Sequence, residues 1–125
     1  MEIDQELLGY LIKKIKEKTG FEVYPTIPDA SAPYPFVAIG EIQIIPSRTK
    51  DKLLGVISVR VDVWGKKNHR VEVSEIIGKI RALSSEIPLN YRILTYKSDN
   101  SRVMEDRSTS DLLWHGIIFL ELAIN

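Results

Sequence analysis

The chain has two histidines, His69 and His115, and no cysteine, so thiolate nucleophiles, disulfides and Cys-bearing zinc sites are excluded. A catalytic histidine needs a nucleophile or an orienting carboxylate within hydrogen-bond reach. No serine stands in the glycine-flanked elbow that would expose such a nucleophile, and neither histidine has a metal-ligating partner at helical spacing. His115, next to Trp114 at the start of the last apolar run, is expected at the surface or as a partly satisfied core residue. The densest polar set is VDVWGKKNHR, Val61 to Arg70, where a helix N-terminus close to Lys66, Lys67 and Arg70 could hold an anion. A phosphate loop needs two glycines at fixed spacing ahead of Lys and Ser or Thr. This stretch has one glycine and no hydroxyl after its lysines, so it reads as a strand-to-helix turn.

Carboxylates offer a second chemistry, because metal nucleases combine acids that bind Mg²⁺ with a lysine that assists the attacking water. Pro28-Asp29 followed by Glu41-Ile42-Gln43 resembles the PD-(D/E)xK arrangement, but glutamine occupies the lysine position and Asp29 falls in a proline-rich connector. A second acidic set, Asp99, Glu105, Asp106 and Asp111, is interleaved with Arg102 and Arg107 and is expected to be a solvated, self-neutralising loop. RNA-binding sheets carry exposed aromatics on their middle strands beside a basic surface. Here Tyr34, Phe36, Trp64, Tyr91 and Tyr96 are scattered at strand ends without an Arg or Lys-Gly-Phe-like run. Trp64 and Trp114 suit a core edge or a protein interface better. Neither a metal nor a cofactor is expected.

Those residues must be positioned by one domain of 125 residues, long enough to bury roughly two thirds of its extended-chain surface. Seventeen basic and seventeen acidic side chains cancel, so no global field gathers polyanions or coats an anionic membrane. The acidic start MEIDQELLGY is not a secretory signal, and Gly116 to Leu120 is too short to span a bilayer. A soluble, cytoplasmic protein is expected.

Ile3, Leu7, Leu8, Leu11, Ile12 and Ile15 recur at helical spacing and predict a first helix, capped by Asp4, stapled by Ile3 and Leu8, and closed by Gly20. Pro25, Pro28, Pro33 and Pro35 make an extended connector. Phe36 to Ile45 and Leu53 to Trp64 read as a long β-hairpin, with Ile57, Val59, Val61 and Val63 on one face and Ser58, Arg60 and Asp62 on the other. Val73, Ile76, Ile77, Ile80 and Leu83 form the stripe of a second helix capped by Asn68, and Pro88 ends that region. Tyr91 to Tyr96 and Leu112 to Ile124 are two further strands, separated by the charged loop KSDNSRVMEDRSTSD. The predicted fold class is α+β: a mainly antiparallel four-stranded sheet with two helices packed on one face, in the order α-β-β-α-β-β.

That order carries a family resemblance. PYPFVAIGE from Pro33 to Glu41, the aromatic-ended strand running into the second helix in VDVWGKKNHRVEVSEIIGKIRAL, and the closing SRVMEDRSTSDLLWHGIIFLEL together resemble the small tail-completion, or tail-terminator, proteins of long-tailed bacteriophages and prophages. The resemblance implies a non-enzymatic virion protein without cofactor. Such a protein forms a ring, usually hexameric, on the last ring of the tail tube and joins it to the head connector. Its partners would be copies of itself, the tail tube protein and a connector or neck protein, with no membrane and no sequence-specific nucleic acid. It would assemble in the host cytoplasm and end at the head-tail junction. Ring formation by rotation requires two different patches per subunit. The mixed-sign loops supply candidates: Arg48, Lys50, Asp51 and Lys52 in the first, Arg102, Glu105, Asp106 and Arg107 in the second. A neighbouring neck component of similar size and the PD-(D/E)xK-like nuclease are the alternatives.

Overall fold

A computed structural model describes residues 2–47 and 54–125. Helix α1 spans Ile3–Thr19 and buries Ile3, Leu7, Leu11 and Ile15, one residue per turn. Its N-cap is Glu2, in extended backbone and without a side-chain bond. The expected cap, Asp4, lies inside the first turn, where its charge suits the helix dipole. Gly20 closes the helix at φ 78° and donates its N–H to the Lys16 carbonyl at 2.8 Å.

The sheet corrects the sequence reading. Among the described residues it has six strands, not four, and it is mixed: β1 (Val23–Tyr24), β2 (Phe36–Ser47), β3 (Leu54–Lys66), β4 (Glu86–Pro88), β5 (Ile93–Asp106) and β6 (Leu113–Ile124), in the spatial order β1-β2-β3-β6-β5-β4. β1 runs parallel to β2, and every other neighbour is antiparallel. β1 and β4 are two and three residues long, too short to show a periodicity. The second helix, α2 (Arg70–Leu83), follows a single 3-10 turn at Lys67–His69, so its N-cap is His69 and not Asn68.

The largest correction is β5. Lys97 to Asp106, expected as loop, is strand. Near the sheet margin a strand needs little apolar content: Ser98, Asn100 and Arg102 point to one face and Asp99 and Ser101 to the other, and most of them stay wet. Only Arg107 to Leu112 remains as the turn into β6.

Both helices lie against the sheet face made by Val37, Ile39, Ile57, Val59, Val61, Val63, Ile118, Leu120 and Leu122, which are buried with the helix stripes in one core. α2 packs tightly over Gly116, where an added Cβ would stand 2.7 Å from Ile77 Cδ1. Among the described residues, no helix is long and apolar enough to cross a membrane.

Candidate functional site

The alternation of β3 sends Arg60, Asp62 and Trp64 to the face away from the helices, where β6 contributes His115, Ile117 and Phe119. That face is not simply wet. Asp62 and His115 are buried together with Phe36, Ala38, Leu113 and Ile117. His115 Nε2 lies 2.8 Å from Asp62 Oδ1, and Arg60 donates from Nε at 3.2 Å and from Nη2 at 3.0 Å to the same carboxylate. The Trp64 indole is stacked on the imidazole at 3.7 Å and 9°. Burial raises the Asp62 pKa, but the bonds from His115 and Arg60 outweigh it and hold the carboxyl below its ordinary range.

An Asp–His pair is half of a nucleophile-activating system. The other half is missing here, because among the described residues no hydroxyl is hydrogen-bonded to the imidazole. The cluster ties β3 to β6 and fixes the Arg60 guanidinium on the sheet surface, 5.9 Å from the Phe119 ring centre. Beyond it the same face opens into a shallow depression lined by Glu41, Gln43, Ser58, Asn100 and Glu121. The nuclease arrangement does not assemble there. Asp29 is in a turn and accepts the Ser31 backbone N–H at 3.0 Å, and no group of three His, Cys, Asp or Glu among the described residues could hold a metal ion.

The strand-to-helix turn around Lys66 is built from its own side chains. The Lys66 N–H donates to His69 Nδ1 at 2.9 Å, Trp114 Nε1 donates to the Lys67 carbonyl at 3.0 Å, and Arg70 lies over the Trp114 ring. His69 is thereby spent on the backbone.

Both margins of the sheet are left partly unpaired. Among the described residues, β1 covers β2 only at Val37 and Ala38, and β4 covers β5 only from Ile93 to Thr95. Among the described residues, no strand pairs with the outer edge of β2 from Ile42 to Ser47 or of β5 from Ser98 to Asp106. Each edge begins just past a register shift, between Ile39 and Ile42 in β2 and between Tyr96 and Ser98 in β5.

Of the expected contact residues, Arg48, Lys50, Asp51 and Lys52 lie outside the described residues. Arg102, Glu105 and Asp106 are on β5 and not in a loop, with Arg107 following. Glu105 and Arg107 pair with each other at 3.3 Å. Asp106 accepts the Ser108 backbone N–H at 2.8 Å, and the two bonds from Ser108 lower its pKa. Asp99, assigned to the same loop, is an anchored strand residue: Arg81 of α2 binds it at 2.9 and 3.0 Å, and the Tyr96 hydroxyl donates to it at 2.6 Å. The Arg60–Asp62–His115–Trp64 cluster is not evident from the sequence. Its only signal is the strict alternation of VRVDVW, which places Arg60 and Asp62 on one face without showing that the face is covered.

Known proteins resemble this arrangement. A family model described as "Tail completion protein gp17" matches residues 15–122. One chain of a structure titled "Virion of native gene transfer agent (GTA) particle" shares the fold at TM-score 0.69 and 11% identity, covering 98% of both chains. The structure titled "Structure of bacteriophage SPP1 gp17 protein" matches at 25% identity and TM-score 0.49, covering 98% of this chain and 85% of that one. No curated protein matches in sequence. Because the family model spans most of the sequence, the chain belongs to the tail completion protein gp17 family.

Proposed function

We propose that this protein is a non-enzymatic part of a phage or prophage virion, and that it forms a ring on the end of the tail tube, stops tube growth and joins the tail to the head connector. The observation that carries this reading is the family match over residues 15–122. The geometry is compatible with it: among the described residues the sheet has two unlike, partly unpaired margins, and a head-to-tail ring needs two different patches on every subunit. In this reading, copies of the chain, the tail tube protein and a connector protein are its partners. Arg48, Lys50, Asp51 and Lys52, with Arg102, Glu105, Asp106 and Arg107, contribute to those contacts. It acts in the host cytoplasm and then at the head-tail junction.

The test is deletion of the gene in the phage or prophage that carries it, with electron microscopy of the lysate. Tails of uncontrolled length without heads are expected, with both defects repaired when the chain is supplied. Tails of normal length already joined to heads in its absence overturn the proposal. Light scattering of the purified chain over a concentration series checks the ring, with growth from monomer towards about six copies expected.

A further inference from the structure

We infer that neighbouring copies of this chain join edge to edge, with β5 of one copy pairing antiparallel with β2 of the next, Val103 opposite Ile42 and Arg102 opposite Gln43. The inference rests on the ring reading and specifies the seam within it.

Strand sense comes first. β2, β3, β6 and β5 alternate in direction, so β5 runs against β2. Copies related by rotation about an axis near the strand direction keep that sense. The β5 edge of one copy therefore meets the β2 edge of the next as an antiparallel pair, the more stable kind. A two-fold β2–β2 or β5–β5 contact would use one edge twice and close the assembly at two copies.

Side chains fix the register. Gln43 and Ile45 share the open face with Asn100 and Arg102, while Ile42, Ile44 and Val103 lie on the helix face as half-buried residues at the rim of the core. A seam must keep faces matched, so only shifts by two residues compete. With Val103 opposite Ile42, the two rims close over each other, and Arg102 faces Gln43 with Glu41 on the same open face. A shift of two one way sets Val103 against Gly40 and Ile42 against Ser101, so neither apolar rim residue meets another. A shift the other way sets Glu41 against Asp106 and Ile42 against Glu105. Six residue pairs result, from Ile42–Val103 to Ser47–Ser98, with Pro46 near the end, where its missing N–H costs least.

The strand tilt that this register produces is an independent check on it. Gln43, Ser58, Glu121 and Ser98 form one row straight across the four long strands. At the seam Ser98 meets Ser47 of the next copy, which lies four positions beyond Gln43 on β2. Each copy thus climbs about 13 Å along the strands for about 19 Å of width, a tilt of roughly 35°. Closed β-barrels tilt their strands by about 35–45°. The tilt does not depend on how many copies close the ring.

Disulfide mapping tests the seam, and the cysteine-free chain makes it clean. Gln43 and Arg102 of one copy are separated by β3 and β6, about 14 Å across the sheet. That is beyond the roughly 7 Å limit for a bond within a copy. Gln43→Cys and Arg102→Cys chains are mixed, assembled alone or on tail tubes, and oxidised, with ring formation followed by electron microscopy. A cross-linked dimer in the mixture, none in either single variant, and a covalent ladder from the double variant are expected. Rings that form without the disulfide between the two positions, or a disulfide joining two Gln43→Cys chains or two Arg102→Cys chains, overturn the seam and leave the ring reading standing. Failure of the unsubstituted chain to form rings, alone or on tubes, overturns both.

Discussion

His115 reaches one step diagonally along β3 to Asp62, with Nε2 2.8 Å from Oδ1 and both side chains more than nine-tenths buried. In the ladder His115 stands opposite Trp64 and Asp62 opposite Ile117, so the imidazole lies under the indole while bonding to the carboxylate one row on. The contact joins a charged group to two donors, His115 and Arg60, on a sheet face that the polar pattern of β3 marks as exposed.

Asp62→Asn should lower stability by about 1–3 kcal/mol at neutral pH, the usual cost of spoiling a hydrogen-bonded buried charge. The pH dependence follows from the depressed pKa of Asp62. An aspartate with a folded value below its unfolded value of about 3.9 stabilises in full above that pH and loses the contribution as pH falls through the folded value. Urea unfolding at pH 7 and at about pH 3 should therefore show a gap between the two proteins that shrinks in acid. A gap of equal size at both pH values would assign the effect to shape and not to charge.

Arg81 ties α2 to β5 by a fork: Nε and Nη2 reach the two oxygens of Asp99, and Nη2 also donates to Ser101 Oγ at 3.0 Å. A lysine cannot reproduce that geometry. Arg81→Lys should cost nearly as much as Arg81→Ala, about 1 kcal/mol each, a low figure because Arg81 is two-fifths exposed. Thermal unfolding of the two variants decides it. A lysine variant as stable as the parent would mean that net charge alone holds Asp99.

The apolar stripes of α1, α2, β2, β3 and β6 are legible because each serves one core, and periodicity reports a single buried face. Ile57, Val59, Val61 and Val63 are buried as their alternation requires. The misses share a cause. Val23–Tyr24 and Glu86–Pro88 are strands only because a neighbour supplies the ladder, and Ser98 to Asp106 is extended by pairing with β6 while its side chains read as loop. Asp62 escapes the sequence for the complementary reason. Its face is covered by Phe36, Trp64 and His115, which come from β2, β3 and β6 and meet only in the fold.

The Val73 and Ile77 side chains of α2 pack directly over Gly116 of β6. An added Cβ would lie 2.7 Å from Ile77 Cδ1 and 2.8 Å from Val73 Cγ1, closer than side chains tolerate. Gly116→Ala should destabilise by about 1–3 kcal/mol through overpacking. Combining it with Ile77→Val, which removes the nearest methyl, should recover part of the loss, so the pair would be less than additive. Strict additivity in denaturant unfolding would place the strain elsewhere.

Arg48, Lys50 and Lys52 lie in the segment between β2 and β3 and are proposed to act in assembly. Replacing all three with alanine moves the formal charge from zero to −3, since fourteen basic residues then face seventeen acidic ones. None of the three belongs to an apolar stripe of the sequence, and substitutions away from a core usually change stability by no more than about 0.5 kcal/mol, so the monomer should unfold as before. Tail joining should fall, because charge complementarity at an interface governs encounter and register more than it governs folding. Complementation of a deletion strain, with the variant's unfolding curve measured beside it, separates the two effects. Intact joining with an unchanged curve would remove these three residues from the interface, and a lowered curve would relocate their role to the fold itself.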